Sequence, residues 1–218
     1  MAVSCRCRGR ISLRERLRKG IPLGVLSLRN ETVRREPRRH RLWFCIAGKR
    51  GTGRNTLATR FNAMDGDEFM PGDVVFRNVY RFTIDLSNRP ELNESGLVHV
   101  GILIEPPFRE GEINEHLFDN VRAFIFLYDV SDFTTLDEAN VLFDNWEMAS
   151  GENMQPFIFV GNKSDRRESP HEFPVCIPYW YAETLAVELG ALGCYECSAL
   201  RNTGVGPILD MILRLIIR

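Results

Sequence analysis

At 218 residues, 44% hydrophobic and 26% charged, the chain has ample material for a core, as one large domain or two small ones. No apolar run approaches the roughly 18 residues of a membrane span, so no spanning helix is expected. The net charge of −1 hides a division: residues 1–41 hold 13 Lys+Arg against three acids (Glu15, Glu31, Glu36), a net of +10, and the other 15 basic and 26 acidic residues give −11. A basic arm, residues 1–40, thus precedes an acidic globular body, residues 41–218.

The arm, with RGRISLRERLRKG and few acids, reads first as a solvated tail. A patch for a membrane surface or nucleic acid and an Arg-rich organelle presequence are its alternatives. Ala2 stands where myristoylation needs glycine and the final ILRLIIR carries no prenylation signal, so no lipid anchor is expected.

From Arg41 onward, short apolar runs alternate with helical patterns. RLWFCIAG (41–48) reads as a buried strand, followed by a glycine turn and a helix from Arg54. YRFTIDL (80–86) and LVHVGILI (97–104) are two strands joined by the turn-rich NRPELNESG. AFIFLYDV (123–130) and PFIFVG (156–161) are continuous apolar runs, as central parallel strands require, with a helix over 134–149 between them. YAETLAVELG (181–190) is an amphipathic helix, CYECSA (194–199) a last strand and Val205–Arg218 a final helix. Strands alternating with helices predict a mostly parallel sheet covered on both faces, and the hairpin-like second and third strands predict one antiparallel edge. Trp43, Trp146 and Trp180 read as packing residues, and His99 and His116 as structural ones. Cys194 and Cys197 have C-x-x-C spacing but read as ordinary thiols. A zinc site would need a second pair, which only Cys5 and Cys7 in the arm could supply.

Three short stretches carry chemistry. GKRGTGRNTL (48–57) fits the phosphate-loop pattern G-x-x-x-x-G-K-[ST] at Gly48 and Gly53, with Arg54 in place of the lysine and Asn55 in place of the hydroxyl. VGNKSD ends a central strand and delivers Asn162, Lys163 and Asp165 to the carboxyl edge of the sheet, where such folds bind ligands. A fixed aspartate accepts two hydrogen bonds from the ring N–H and exocyclic amine of guanine, a pair adenine lacks. Asn162 would brace neighbouring loops and the Lys163 stem would lie over the base. ECSAL places Ser198, Ala199 and Leu200 at another strand end, where the small Ala199 lets its N–H approach the guanine carbonyl. Lysine is rare, with 25 Arg and three Lys at 19, 49 and 163, so a lysine at 163 stands out from background.

In order and spacing these pieces resemble the Ras superfamily of small GTP-binding proteins, over residues 41–218. AETLAVELGALGCYECSAL is most similar to the Rho branch, although the stretch between NKSD and SAL is short for a full Rho insert. The resemblance implies an α/β, three-layer P-loop GTPase fold: a six-stranded, mostly parallel sheet with one antiparallel edge strand and helices on both faces. It implies GTP or GDP as ligand, phosphates on Gly48, Lys49, Gly51, Gly53, Arg54, Asn55 and Thr56, and guanine on 162–165 and 198–200. Asn55 and Thr56 are the candidate Mg²⁺ contacts, and Mg²⁺ is expected to be held weakly. Effector or regulator proteins are the implied partners, in the cytoplasm or at a membrane surface touched by the basic arm, and no specific nucleic acid is expected.

The departures weigh against catalysis. Arg54 keeps the charge but has a longer, planar head. Thr56 has a hydroxyl but points about 100° away from the Asn55 direction. The first switch, FMPGDVVFRNVY, offers Asp73 or Val74 where a threonine belongs. The second should read D-x-x-G-Q but runs as GILIEPPFREG, with Glu105 as the nearest acid, Pro106 or Pro107 for the glycine and Phe108 for the glutamine. Proline has no N–H for a γ-phosphate and phenylalanine cannot orient water. Intact relatives already turn over at only about 10⁻³ s⁻¹ or less, so little or no hydrolysis and no catalytic residue is expected. The alternative function is a pseudo-GTPase scaffold that binds no nucleotide and works only through protein partners.

Overall fold

The computed structural model describes residues 41–63, 79–89, 92, 96–104, 108–109, 112–113 and 120–217. The arm with Cys5 and Cys7, the first-switch positions Asp73 and Val74, the run Glu105–Pro107 and His116 lie outside them.

A six-stranded sheet forms from β1 (Arg41–Gly48), β2 (Val79–Asp85), β3 (Leu97–Leu103), β6 (Val121–Asp129), β7 (Phe157–Asn162) and β8 (Cys194–Glu196), ordered β2-β3-β1-β6-β7-β8. Only the β2–β3 pair is antiparallel. The two short strands β4 (Phe108–Arg109) and β5 (Glu112–Ile113) pair as a separate antiparallel hairpin that the sequence pattern does not announce.

The central strands are apolar throughout because both faces are covered. On one face, Phe44 and Ile46 of β1 pack with Leu57 and Phe61 of helix α1 (Arg54–Ala63) and with Ile208, Leu209 and Ile212 of helix α4 (Val205–Ile216). On the other, Phe124, Phe126, Phe157 and Phe159 gather around Phe143 and Trp146 of helix α2 (Phe133–Ser150), with Ala182 and Ala186 of helix α3 (Tyr179–Glu188) beside them. Each face is a buried aromatic or aliphatic layer of the kind that dominates folding free energy. Edge strand β2 alternates, with Phe82 and Ile84 inward and Arg81 and Asp85 exposed.

Trp146 is fully buried, its indole N–H donating to Gln155 Oε1 at 3.3 Å, and Trp43 is half-buried under the Arg81 guanidinium. Trp180 departs from its expected packing role, being 65% exposed. Helix α3 buries the stripe through Ala182 and Ala186, and a residue two positions before Ala182 lies about 200° round the helix from it. The ring rests instead against exposed Tyr181, which in turn meets Phe133 of α2. His99 is a strand residue whose ring Nδ1 shares a hydrogen bond with Thr83 Oγ1 across the β2–β3 ladder.

A Cβ on Gly101 of β3 would lie 2.2 Å from Trp43 Cε3 on the neighbouring strand. Gly101→Ala is therefore expected to cost about 1–3 kcal/mol, the usual range for overpacking, measured by urea denaturation.

Candidate functional site

Strands β1, β6 and β7 run parallel, so Gly48, Asp129 and Asn162 come to one carboxyl edge of the sheet. From there the glycine loop, the NKSD segment and the SAL segment face one another. Gly48 ends β1, Gly51 and Gly53 take φ of 97° each, and α1 starts at Arg54. The loop closes on itself where the buried Thr52 hydroxyl donates to the Lys49 carbonyl at 2.9 Å.

Asn162 ties all three segments together. Its side chain, 2% exposed, donates from Nδ2 to the Thr52 carbonyl at 2.8 Å. Its Oδ1 accepts the Ala199 N–H at 3.0 Å and faces the Cys197 thiol at 3.6 Å. Gly53 belongs to the same clasp, because a Cβ there would lie 2.3 Å from Asn162 Nδ2. Ser198 donates from Oγ to Asp165 Oδ1 at 2.5 Å and accepts the Arg201 N–H at 3.1 Å. The carboxylate is thus held by the loop that also presents the Ala199 backbone. Leu200 turns its side chain to solvent.

Four of the phosphate-loop residues sit differently from one another. Arg54 donates from one terminal nitrogen to the Ile104 carbonyl at 2.9 Å, across to the end of β3. Lys49 turns toward α2, bonding Glu138 at 2.5 Å and the Thr134 hydroxyl at 3.3 Å. Asn55 and Thr56 are exposed at the start of α1.

Arg60, Asp129 and Arg166 of the site escaped the sequence reading. Arg60 of α1 donates from Nε to the Ala199 carbonyl and from a terminal nitrogen to the Leu200 carbonyl, both at 2.8 Å, clamping the SAL loop. Asp129, buried at the end of β6, accepts Lys163 Nζ and Arg166 on Oδ2, each at 2.7 Å, while Ser131 donates its N–H and hydroxyl to Oδ1. An acid at the tip of an otherwise apolar strand was the available signal for Asp129. Arg60 offered none, since a helical arginine reads as a solvated side chain.

Burial by itself pushes the Asp129 carboxyl up, but the Lys163 ammonium and the Ser131 donors outweigh it and hold it below the ordinary carboxylate range. A depressed folded value stabilises above the unfolded carboxyl's pKa of about 3.9 and is lost as pH falls through the folded one. Stability is expected to fall below about pH 4, less steeply in Asp129→Asn, as read from urea melts across that window.

The thiols Cys194 and Cys197 are free; burial pushes them up to about 11 and about 12, so both stay protonated at neutral pH. Among the described residues, no group of three or more His, Cys, Asp or Glu side chains could hold a metal ion.

A mostly parallel sheet with a glycine turn leading into a helix, and loops gathered at its carboxyl edge, defines an α/β protein of the P-loop GTPase fold. The family model for the Ras family matches residues 109–218, just over half of the chain, and the chain belongs to that family. The match spans the NKSD and SAL segments and stops short of the glycine loop. Membership implies a small-GTPase-like protein that binds guanine nucleotide, usually with Mg²⁺, and meets regulator and effector proteins. No single curated protein matches the chain.

Proposed function

We propose that the chain is a Rho-like guanine-nucleotide-binding protein that signals through protein partners and hydrolyses GTP slowly or not at all. One observation carries this reading: Asn162 joins the glycine loop to the Ala199 backbone, while Ser198 holds Asp165 beside that backbone. The glycine loop, the Ala199 N–H and the Asp165 carboxylate therefore form one connected edge, which supports the reading. The loop residues 48–56 would take the phosphates through backbone N–H groups at the α1 N-terminus. Asp165 and Ala199 would take guanine, and the Lys163 stem its face. Weak hydrolysis is proposed from the sequence of the second switch, where prolines and Phe108 replace the glycine and glutamine. The basic arm would bring the protein from the cytoplasm to anionic membrane surfaces.

The reading is tested by mass spectrometry of nucleotide released from the purified chain. GDP or GTP at a substantial fraction of the protein supports it. Protein that carries none, and gives no shift with either at millimolar concentration, leaves the scaffold reading, in which the fold serves only as an interaction module.

A further inference from the structure

The phosphate loop and the end of β3 are joined by a cation. Arg54, the first residue of α1, crosses to the Ile104 carbonyl at 2.9 Å, one residue before Glu105. The contact fixes a permanent positive charge between the loop and the strand that carries the second switch. That charge also reaches the fully buried Cys45 thiol of β1, where it opposes the effect of burial.

A magnesium ion fits these residues poorly. Mg²⁺ demands octahedral oxygen ligands at about 2.0–2.1 Å and is bound through carboxylates, hydroxyls and phosphates. Asn55, at the hydroxyl's place, offers a neutral amide oxygen and is exposed. The neighbouring Arg54 is a donor without acceptor capacity, so it cannot ligate the ion itself. Lys49, the loop's lysine, is engaged with Glu138 of α2.

We propose that Arg54 does the metal's electrostatic work, so that the chain binds guanine nucleotide independently of Mg²⁺. A guanidinium suits this role, because its planar fork matches two oxygens of one phosphate and it stays charged at every physiological pH. Arg54 thus sets which form of the ligand is taken: the metal-free nucleotide. The inference rests on the guanine-binding reading above.

The test measures GDP affinity of the full-length chain by calorimetry, once in EDTA and once in millimolar Mg²⁺. The two dissociation constants are expected to agree within about threefold. Arg54→Gln is expected to weaken GDP about tenfold or more in EDTA. Should that variant melt early, Arg54→Lys with Asn55→Ser, which restores the family's residues, is expected to bind GDP more tightly in Mg²⁺ than in EDTA. Tightening of the unmodified chain by Mg²⁺ of about tenfold or more overturns the inference and leaves guanine binding standing. GDP binding by Arg54→Gln equal to that of the unmodified chain overturns it as well. Absence of GDP binding in both buffers overturns the inference together with the function it rests on.

Discussion

Asn162→Ala is expected to destabilise the protein by about 2–5 kcal/mol, the largest effect of any single change at the site. The substitution removes two buried bonds, to the Thr52 carbonyl and from the Ala199 N–H, and leaves both partners without the group that satisfied them. An unsatisfied buried polar group costs about 1–3 kcal/mol, and the cavity left by the amide adds to that. At about 2–4 °C per kcal/mol for a chain of this size, the melting temperature should drop by roughly 4–20 °C. Asn162→Asp tests the donor separately, since it keeps the acceptor for Ala199 and presents an oxygen to the Thr52 carbonyl. A drop smaller than about 2 °C in both variants is incompatible with the clasp described above. Arg60→Ala, which frees only the outer side of the SAL loop, should cost less, about 1–2 kcal/mol, because that contact is partly exposed.

Asp165→Asn is expected to weaken guanine nucleotide by about 10²–10⁴-fold while favouring xanthine nucleotide relative to guanine. The carboxylate offers two acceptors to the two N–H donors on the guanine edge. An amide offers one acceptor and one donor, so one of its groups opposes a like group on guanine. Xanthine carries a carbonyl where guanine carries the amine and so meets the amide donor. The fold should tolerate the change, because Ser198 can still donate to the remaining side-chain oxygen. Competition binding against a fluorescent nucleotide, with guanine, xanthine and adenine diphosphates, reads the outcome. Unchanged guanine affinity would place the base elsewhere.

Much of this architecture was legible because burial on both sides writes itself as an unbroken apolar run. VRAFIFLYD and FIFVGN can be central strands and little else, and their ends fix where the chemistry must lie. Helix ends were legible only to within two residues, since they are set by single caps. Asp132 accepts the Thr134 N–H and starts α2 earlier than periodicity suggests, and Pro178 precedes α3. The β4–β5 hairpin was hidden in a stretch of prolines and charges that reads as a turn. Trp180 misled because a large aromatic is usually packed, and only the position of the Ala182–Ala186 stripe reveals that it faces outward.

The site divides along the same line. Asn162, Asp165 and Ser198 were legible because short side chains at strand ends act close to where the chain puts them. The partners of Arg54, Arg60 and Arg166 were not, because a long side chain reaches groups 50, 139 and 37 residues away along the chain. No local pattern encodes which carbonyl or carboxylate such an arm will find.

The most direct measurement is the thermal shift of the full chain with GDP and, in parallel, with ADP. Ligand at about 100 times its dissociation constant adds about 2.7 kcal/mol, or roughly 5–10 °C here. GDP should raise the melting temperature by that amount and ADP should leave it where it was, because adenine lacks the donor pair that Asp165 accepts. Equal shifts with the two nucleotides, or no shift with GDP, would contradict a guanine site built on that carboxylate.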